Sequence, residues 1–163
     1  MLKAFLASCP SCTILDPAVE EKATLKFCHL MRWCEIAELR NTHSNVATKF
    51  RNGPFKGTQV EHLSSQLLNG SIVPSDLPPL VAVRFGMGLF VVCGNRRTRA
   101  LQDFAAAHVA RTDEALPKVR VIVHDFPLDH IRDPSLRCAF LAKSVLASTT
   151  TNGGKQADLG DAS

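Results

Sequence analysis

The sequence predicts an α+β domain: a mixed β-sheet of about four strands with helices packed against it. Three apolar runs, at 80–85, 89–93 and 119–124, have the length and composition of strands. Two segments, 58–69 and 96–110, carry apolar residues at helical spacing. The chain has 163 residues, of which 45% are hydrophobic and 21% charged. This size and composition suit one domain with its own core, and they exclude wholesale disorder.

The N-terminal residues 1–35 are predicted to be an extension that is partly helical. Glu21–Leu39 has the pattern of an amphipathic helix, with Leu25, His29 and Trp33 spaced four residues apart. The segment Ile36–Leu39 is either the end of that helix or a short first strand of the sheet.

The cysteines of this extension have spacings that bear on metal binding. Cys9 and Cys12 form a C-x2-C pair, and Cys28 and Cys34 follow as a second pair with five residues between them. Two short pairs at this separation are typical of tetrahedral zinc sites, but the wide second pair does not fit the pattern. Buried thiols on the predicted helix are the alternative. We therefore do not expect zinc, and we predict no metal site.

The same region bears on localisation. The apolar stretch that begins at Met1 is too short for an export signal, so a reducing intracellular compartment, cytoplasmic or nuclear, is expected. No apolar run reaches the roughly 18–20 residues that cross a bilayer, and we expect no membrane partner.

The middle of the chain, 36–126, is predicted to be the domain proper. Thr58 and Glu61 have the spacing of a capping box and predict the start of the first helix, which Asn69 and Gly70 end. Ile72–Pro79 holds three prolines and predicts an extended loop. The next two apolar runs predict a β-hairpin whose second strand, Leu89–Cys93, is buried on both faces.

A second helix and a last strand complete this domain. The helix is predicted from Arg96 to Ala110 and the strand from Val119 to His124, where Arg120 indicates a face that reaches solvent. Residues 127–147 are predicted to be a C-terminal helical segment. Residues 148–163 contain almost no large apolar residue and are predicted to be a disordered tail.

The positive charge of the protein is concentrated in the middle of the chain. The net charge is +4 overall, but residues 39–111 carry +6, while the segments on either side carry −1 each. A surface of one sign attracts ligands of the other sign, so the expected partner is anionic. Solvated surface arginines are the alternative explanation.

The string Cys93-Gly94-Asn95-Arg96-Arg97-Thr98-Arg99-Ala100 lies where a predicted buried strand passes into a helix. Gly94 permits an unusual backbone angle, and Asn95 is a favoured N-cap residue. Cations at a helix N-terminus are unfavourable by about 0.3–1 kcal/mol each, yet three arginines stand here. A bound anion explains them, because the unpaired amides of the first turn and the planar guanidinium groups both bind phosphate. The alternative is that these arginines pair with carboxylates of Asp103, Asp125 or Asp129 and stabilise the fold.

This motif, in its order of strand, motif and helix, resembles the signature of the ParB/sulfiredoxin superfamily. The resemblance covers roughly residues 36–126 and includes the loop Pro78-Pro79 and the strand that follows it. It implies a ParB/sulfiredoxin-like sheet in which the motif grips nucleotide phosphates: CTP in ParB proteins, and ATP or ADP in sulfiredoxins and related serine kinases. Carried over residue by residue, the implied phosphate-gripping set is Gly94, Arg96, Arg97 and Arg99. Together with Asn95, the favoured N-cap residue of the same motif, these residues form the predicted nucleotide- and phosphate-binding site. The segment Phe50-Arg51-Asn52-Gly53 resembles a loop of eukaryotic relatives.

Two departures from the family pattern concern the same position. ParB proteins usually carry Glu, tied to metal binding and hydrolysis, where this chain has the neutral Asn95, so binding without turnover is expected. Sulfiredoxins place their catalytic Cys there, which argues against sulfinic-acid repair.

The sequence therefore predicts binding of a phosphate-bearing ligand, a nucleotide such as CTP, ATP or ADP, with Mg²⁺ accompanying the nucleotide. No catalytic residue is identified, although His124 and Asp125 are the candidate general bases if a reaction takes place. A nucleic-acid-binding or nuclease module and a non-catalytic interaction domain remain the alternatives, and the sequence does not decide the oligomeric state.

Overall fold

The computed structural model describes residues 28–43, 45–51, 53–85, 88–125 and 157–160. The strands within these ranges are β1 (Met31–Cys34), β2 (Leu39–Asn41), β3 (Asn45–Val46), β4 (Leu80–Phe85), β5 (Gly88–Cys93), β6 (Val119–Asp125) and β7 (Asp158–Leu159). The α-helices within them are α1 (Val60–Leu68) and α2 (Asn95–Arg111). Short 3-10 turns are formed by Cys28–Leu30, Ile36–Glu38 and Pro74–Asp76.

Five of these strands form one mixed sheet in the order β1-β6-β4-β5-β2. β4 pairs parallel with β6 and antiparallel with β5, β1 is antiparallel to β6, and β2 is parallel to β5. The expected α+β class with a mixed sheet is confirmed, and the sheet has five strands rather than about four. The additional strand is β1, which lies within the predicted N-terminal extension.

The core lies between one face of the sheet and the two helices. Residues from β4, β5 and β6 that contribute to it alternate along each strand with residues outside it, as the period of two requires. The helix residues in this core are Val60, Leu63 and Leu67 of α1 and Ala100, Leu101 and Phe104 of α2. Val92 of β5 lies outside this cluster and is only 1% exposed. The prediction that β5 is buried on both faces is therefore confirmed.

The predicted hairpin and the two predicted helices are also confirmed. In the antiparallel register of β4 and β5, Val81 lies opposite Cys93 and Phe85 lies opposite Gly88. The hairpin is therefore located where the two apolar runs predicted it. α1 ends at Leu68 with Asn69 as its C-cap residue.

The amphipathic helix predicted at Glu21–Leu39 is wrong within the described residues. Met31–Cys34 forms β1, whose register with β6 pairs Trp33 with Arg120, and Ile36–Glu38 is a 3-10 turn that leads into β2. Trp33, expected on an apolar helix face, is 57% exposed. Backbone pairing with β6 overrides the local helical spacing, because the strand assignment depends on a partner about ninety residues away.

The predicted capping box at the start of α1 is not formed. Gln59, not Thr58, is the N-cap residue, and its side chain makes no capping hydrogen bond. The chain enters the helix through backbone hydrogen bonds instead: the amide of Val60 donates to the carbonyl of Thr48 over 2.8 Å, and Lys49 pairs with Gln59. The isolated bridge places Gln59 at the helix boundary and leaves Thr58 in the preceding loop.

Part of the predicted disordered tail is ordered. Ala157 is fully buried, and β7 pairs in parallel with β3, with a further hydrogen bond of 3.1 Å from the amide of Gly160 to the carbonyl of Val46. This corrects the prediction for residues 157–160, which pairing with β3 and the packing of Leu159 against the core hold in place. The helical segment predicted at 127–147 lies outside the described residues.

Neither of the two described α-helices has the length and apolar character needed to cross a membrane.

Candidate functional site at the N-terminus of α2

The junction between β5 and α2 is built around Gly94. This residue is the N-cap of α2 and has a left-handed backbone with a φ of +103°. A Cβ atom at this position would lie 2.5 Å from Cδ2 of Leu80, so the junction requires glycine for space as well as for conformation. The expected unusual backbone angle is confirmed. The amide of Thr98 makes the first helical hydrogen bond, to the carbonyl of Gly94 over 2.8 Å. The amides of the three preceding residues lie in the first turn, where a helix leaves its N–H groups available.

Asn95 is the first residue of α2 rather than its cap, and its side chain holds the end of β2 in place. Its Oδ1 accepts a 3.1 Å hydrogen bond from the amide of Thr42. Its Nδ2 donates to Oγ1 of Thr42 over 3.0 Å and to the carbonyl of Val91 over 3.1 Å. The side-chain amide of Asn95 is thus engaged within the protein, so its role in the site is to position neighbouring residues.

Arg97 turns away from the helix end and into the protein. Only 6% of this residue is exposed. Its Nη1 donates to the carbonyl oxygen of Pro78 and, over 3.3 Å, to that of Pro79. Because the guanidinium group also lies against Gly94, it connects the proline-containing loop before β4 to the junction.

Arg99 forms an ion pair within α2. Its Nε lies 2.9 Å and 3.0 Å from the two carboxylate oxygens of Asp103, one helical turn further on. Its Nη1 donates to the carbonyl of Ala157, next to β7. The alternative interpretation, in which an arginine of the motif pairs with Asp103 and stabilises the fold, therefore describes this residue.

Arg96 differs from the other two arginines of the motif. Its Nε is buried and has no hydrogen-bond partner among the described residues. Burial and, secondarily, the charge of Arg51 lower the pKa of the Arg96 guanidinium. Within the described residues, Arg96 is thus a partly desolvated cation that forms no ion pair, and a partly desolvated cation is unfavourable without a compensating anion.

His43 is the third basic residue in this group. It directly follows Thr42, which the side chain of Asn95 holds next to the start of α2. His43 keeps much of its surface exposed, yet nearby protein atoms partly desolvate its imidazole. This burial and the positive charge of Arg96 lower the pKa of His43. We call Arg96, Arg51 and His43 the Arg96 cluster.

Arg51 reaches this cluster from a loop with a well-defined framework. The preceding residue, Phe50, is 7% exposed and packs in the core, and its ring lies 5.5 Å from that of Phe55. The amide of Phe50 donates to the carbonyl of Thr58, and the amide of Gly57 donates to the carbonyl of Phe50, both over 2.9 Å. Sequence reasoning did not include Arg51 or His43 in the site. Two signals in the sequence could have indicated them: the positive charge of residues 39–111, and the resemblance of the loop Phe50-Arg51-Asn52-Gly53 to a loop of eukaryotic relatives.

The two candidate general bases lie away from this cluster. Asp125 stands opposite Arg84 in the sheet register, and Arg84 stands opposite Leu89 at the start of β5. Gly94 follows Cys93 at the other end of β5. Cys93 is four residues along the strand from Leu89, which corresponds to roughly 13 Å at about 3.3 Å per residue. Arg84 also donates from its Nε to Oδ1 of Asp125 over 3.2 Å, which pairs the two side chains. His124 and Asp125 are therefore not placed to act on a ligand at the junction.

No group of three or more metal-ligating His, Cys, Asp or Glu side chains occurs in the part of the chain that the structure describes. Cys34 is a buried free thiol whose pKa is raised, first by burial and then by the charge of Glu38. Cys9 and Cys12, and the side chain of Cys28, lie outside the described residues.

Comparison with known proteins adds no family assignment. No protein-family model matches the chain. No curated protein is significantly similar to it either.

Proposed function

We propose that this protein binds a phosphate-bearing ligand at the N-terminus of α2, with Arg96 as the principal contact. The observation that carries the proposal is the buried Nε of Arg96, which has no hydrogen-bond partner among the described residues. A buried polar donor without a partner costs about 1–3 kcal/mol, and a phosphate oxygen would satisfy it. The amides of the first turn of α2 would supply further donors to the same anion.

The other residues of the motif have supporting roles in this proposal. Gly94 lets the backbone approach the ligand, Asn95 holds Thr42 and thereby His43, and Arg97 and Arg99 fix the surrounding segments. The arginines of the motif therefore divide into one that meets the ligand and two that maintain the shape of the site.

The resemblance to the ParB/sulfiredoxin superfamily makes a nucleotide the proposed ligand class, either CTP or ATP and ADP, bound together with Mg²⁺. A mixed sheet in which β5, the motif and α2 follow one another is compatible with this fold. We propose binding without turnover, because Asn95 replaces the acid of ParB proteins and its side-chain amide is already engaged.

A thermal-shift experiment with CTP, ATP and ADP, each with and without Mg²⁺, tests this proposal. A ligand at one hundred times its Kd stabilises a protein by about 2.7 kcal/mol, which is readily visible as a rise in Tm. Arg96→Gln should abolish this rise. Arg111→Gln is the matched control, since Arg111 is exposed and lies in the last turn of the same helix. If none of the three nucleotides raises Tm, or if Arg96→Gln retains the rise, the proposal is wrong.

A nucleic acid is the second candidate ligand, because three exposed basic residues lie close together in the sequence before α1. These residues are Lys49, Arg51 and Lys56. Binding to a single-stranded oligonucleotide would weaken steeply with salt, with a log–log slope of about −0.7 per phosphate contacted. A nucleotide site predicts binding of mononucleotides at the same salt concentration, which distinguishes the two candidates.

A further inference from the structure

The segment 157–160 packs on the rest of the fold as a short extended strand. Its strand β7 stands opposite Asn45 and Val46 of β3 in parallel register. The amide of Gly160 adds a 3.1 Å hydrogen bond to the carbonyl of Val46. Among the described residues, β3 pairs with no strand other than β7, so this segment completes the small sheet.

The side chains of this segment alternate between the protein and solvent. Ala157 is fully buried, Asp158 is exposed, and Leu159 packs against the hydrophobic core. This alternation is the period of two that an extended strand imposes. Backbone hydrogen bonds do not distinguish side chains, so the two inward positions select the sequence that fits: a small residue and, two residues later, an aliphatic one.

The surface that receives the segment is held in place by contacts that do not involve it. Arg99 donates from Nη1 to the carbonyl of Ala157, and Asp103 orients this guanidinium group by accepting from its Nε over 2.9 Å and 3.0 Å. β3 comes shortly after Thr42 in the chain, and the side chain of Asn95 binds Thr42 at the start of α2. We therefore expect both halves of this surface to stay in place when the segment leaves.

We propose that the edge of β3 and the guanidinium group of Arg99 form a docking site for an extended protein segment, and that β7 is its resident occupant. The partner that fits is a segment of another protein with a small residue and, two residues later, an aliphatic residue, added in parallel to β3. Addition of a strand to a sheet edge is a common form of peptide recognition. This inference does not depend on a phosphate ligand, and it assigns a second binding surface to the protein.

The resident segment is small enough to exchange with such a partner. Its described contacts come from the residues 157–160 alone, and Asp158 within it is exposed. A segment with so few buried groups opens at a lower free energy than the core does. A covalently tethered occupant competes with a free peptide at a high effective concentration. A free peptide should therefore bind weakly to the unchanged protein, and much more tightly once the resident segment is released.

Hydrogen exchange of the unchanged full-length protein tests whether the segment opens separately. The amide of Gly160 should show a protection factor at least a hundredfold smaller than the amides of β5, a strand that is paired on both sides. Equal protection would show that the segment leaves only when the whole domain unfolds, and the proposal would be overturned. This measurement needs no variant.

Variants of the full-length protein test the exchange itself. Ala157→Arg places a long charged side chain at a fully buried position and should release the segment, whereas Asp158→Arg places the same side chain at the adjacent exposed position and should retain it. Leu159→Asp is a second releasing variant, because it puts a charge against the core. The probe is an acetylated and amidated peptide with the sequence of residues 153–163, titrated to about 2 mM into each ¹⁵N-labelled protein. It should shift the β3 amide signals of both releasing variants with a Kd at least tenfold lower than in Asp158→Arg.

Two controls examine how the peptide is recognised. A peptide that carries Leu159→Asp should bind the Ala157→Arg protein at least tenfold more weakly than the unchanged peptide does. Adding Arg99→Gln to that protein should weaken binding of the unchanged peptide at least threefold, because the donor to the Ala157 carbonyl is lost. Arg111→Gln, an exposed position in the last turn of the same helix, should leave the affinity unchanged.

The outcomes that contradict the proposal are specific. If the unchanged peptide binds neither releasing variant, or if the Leu159→Asp peptide binds equally well, the edge of β3 is not a docking site. Equal affinities after Arg99→Gln and Arg111→Gln would remove Arg99 from the site. A dimer of the unchanged protein that Ala157→Arg dissociates would show that a second copy supplies the segment, which would overturn the assignment of β7 as the occupant within its own chain.

Discussion

Replacing Gly94 with alanine tests how tightly the junction between β5 and α2 is built. The new Cβ would lie 2.5 Å from Cδ2 of Leu80, against an ordinary separation of about 3.5–4 Å between carbon atoms. Leu80 is 2% exposed and belongs to the core, so it cannot move into solvent. Overpacking of this kind costs about 1–3 kcal/mol, and the left-handed backbone adds about 1–2 kcal/mol for any residue with a Cβ.

Gly70→Ala is the matched control for this substitution. Gly70 also has a positive φ, +77°, but no atom lies within 4 Å of the position that a Cβ would take there, so only the backbone cost applies. The difference between the two variants therefore reports the close contacts of the new Cβ, with Leu80 and with Nη2 of Arg97 at 3.1 Å, and should amount to about 1–3 kcal/mol.

Thermal and guanidinium denaturation of the two variants and the unchanged protein measure this difference. One kcal/mol corresponds to roughly 4–8 °C in Tm for a domain of 60–100 residues, so Gly94→Ala should melt clearly below Gly70→Ala. An equal loss of stability in the two variants would show that neither Leu80 nor Arg97 confines the junction.

Three further predictions concern residues around the same junction. Arg97→Met should lower the unfolding free energy by about 1.5–3 kcal/mol in chemical denaturation without any ligand, because the Pro78 carbonyl loses a charged donor. Asn95→Ala should cost about 1–3 kcal/mol in the same assay, since it leaves the amide of the buried Thr42 without its acceptor; Asn95→Asp keeps that acceptor but not the two bonds that Nδ2 donates, and should restore only part of the loss. His43 should titrate below its ordinary pKa of about 6.5 when followed by NMR, because burial and a nearby guanidinium lower that pKa. Protonation then favours the unfolded chain, so stability should decrease as the pH falls below about 6.5, and His43→Gln should reduce this decrease.

The elements that sequence reasoning predicted are those whose signal is local. The β4–β5 hairpin follows from two apolar runs with a short connection, and α1 and α2 follow from apolar residues at helical spacing. β1 could not be predicted in this way, because Trp33 also fits a helical pattern and only pairing with β6 decides between the two structures. β7 likewise depends on β3, more than one hundred residues earlier in the chain.

The candidate site was predictable to the same extent. The position of Gly94 at a strand-to-helix junction follows from the residues on either side of it. The destinations of the arginines do not, because a long guanidinium side chain binds whichever acceptor the fold brings within reach. The carbonyls next to Arg97 and Arg99 belong to distant segments, at Pro78 and Ala157. Arg51 enters the cluster for the same reason, through a loop whose place is fixed by the core.

The hydrogen bonds of Asn95 have a consequence for how related chains should be compared. The carboxamide both donates and accepts at its contacts with Thr42 and Val91, whereas an ionised carboxylate only accepts. A homologue with an acid at this site could still accept a hydrogen bond from the amide of residue 42 but would lose both bonds that Nδ2 donates, so the residues at 42 and 95 are expected to covary. Relatives that keep the Thr–Asn combination would share this local architecture, and those with an acid would mark a separate branch with different chemistry.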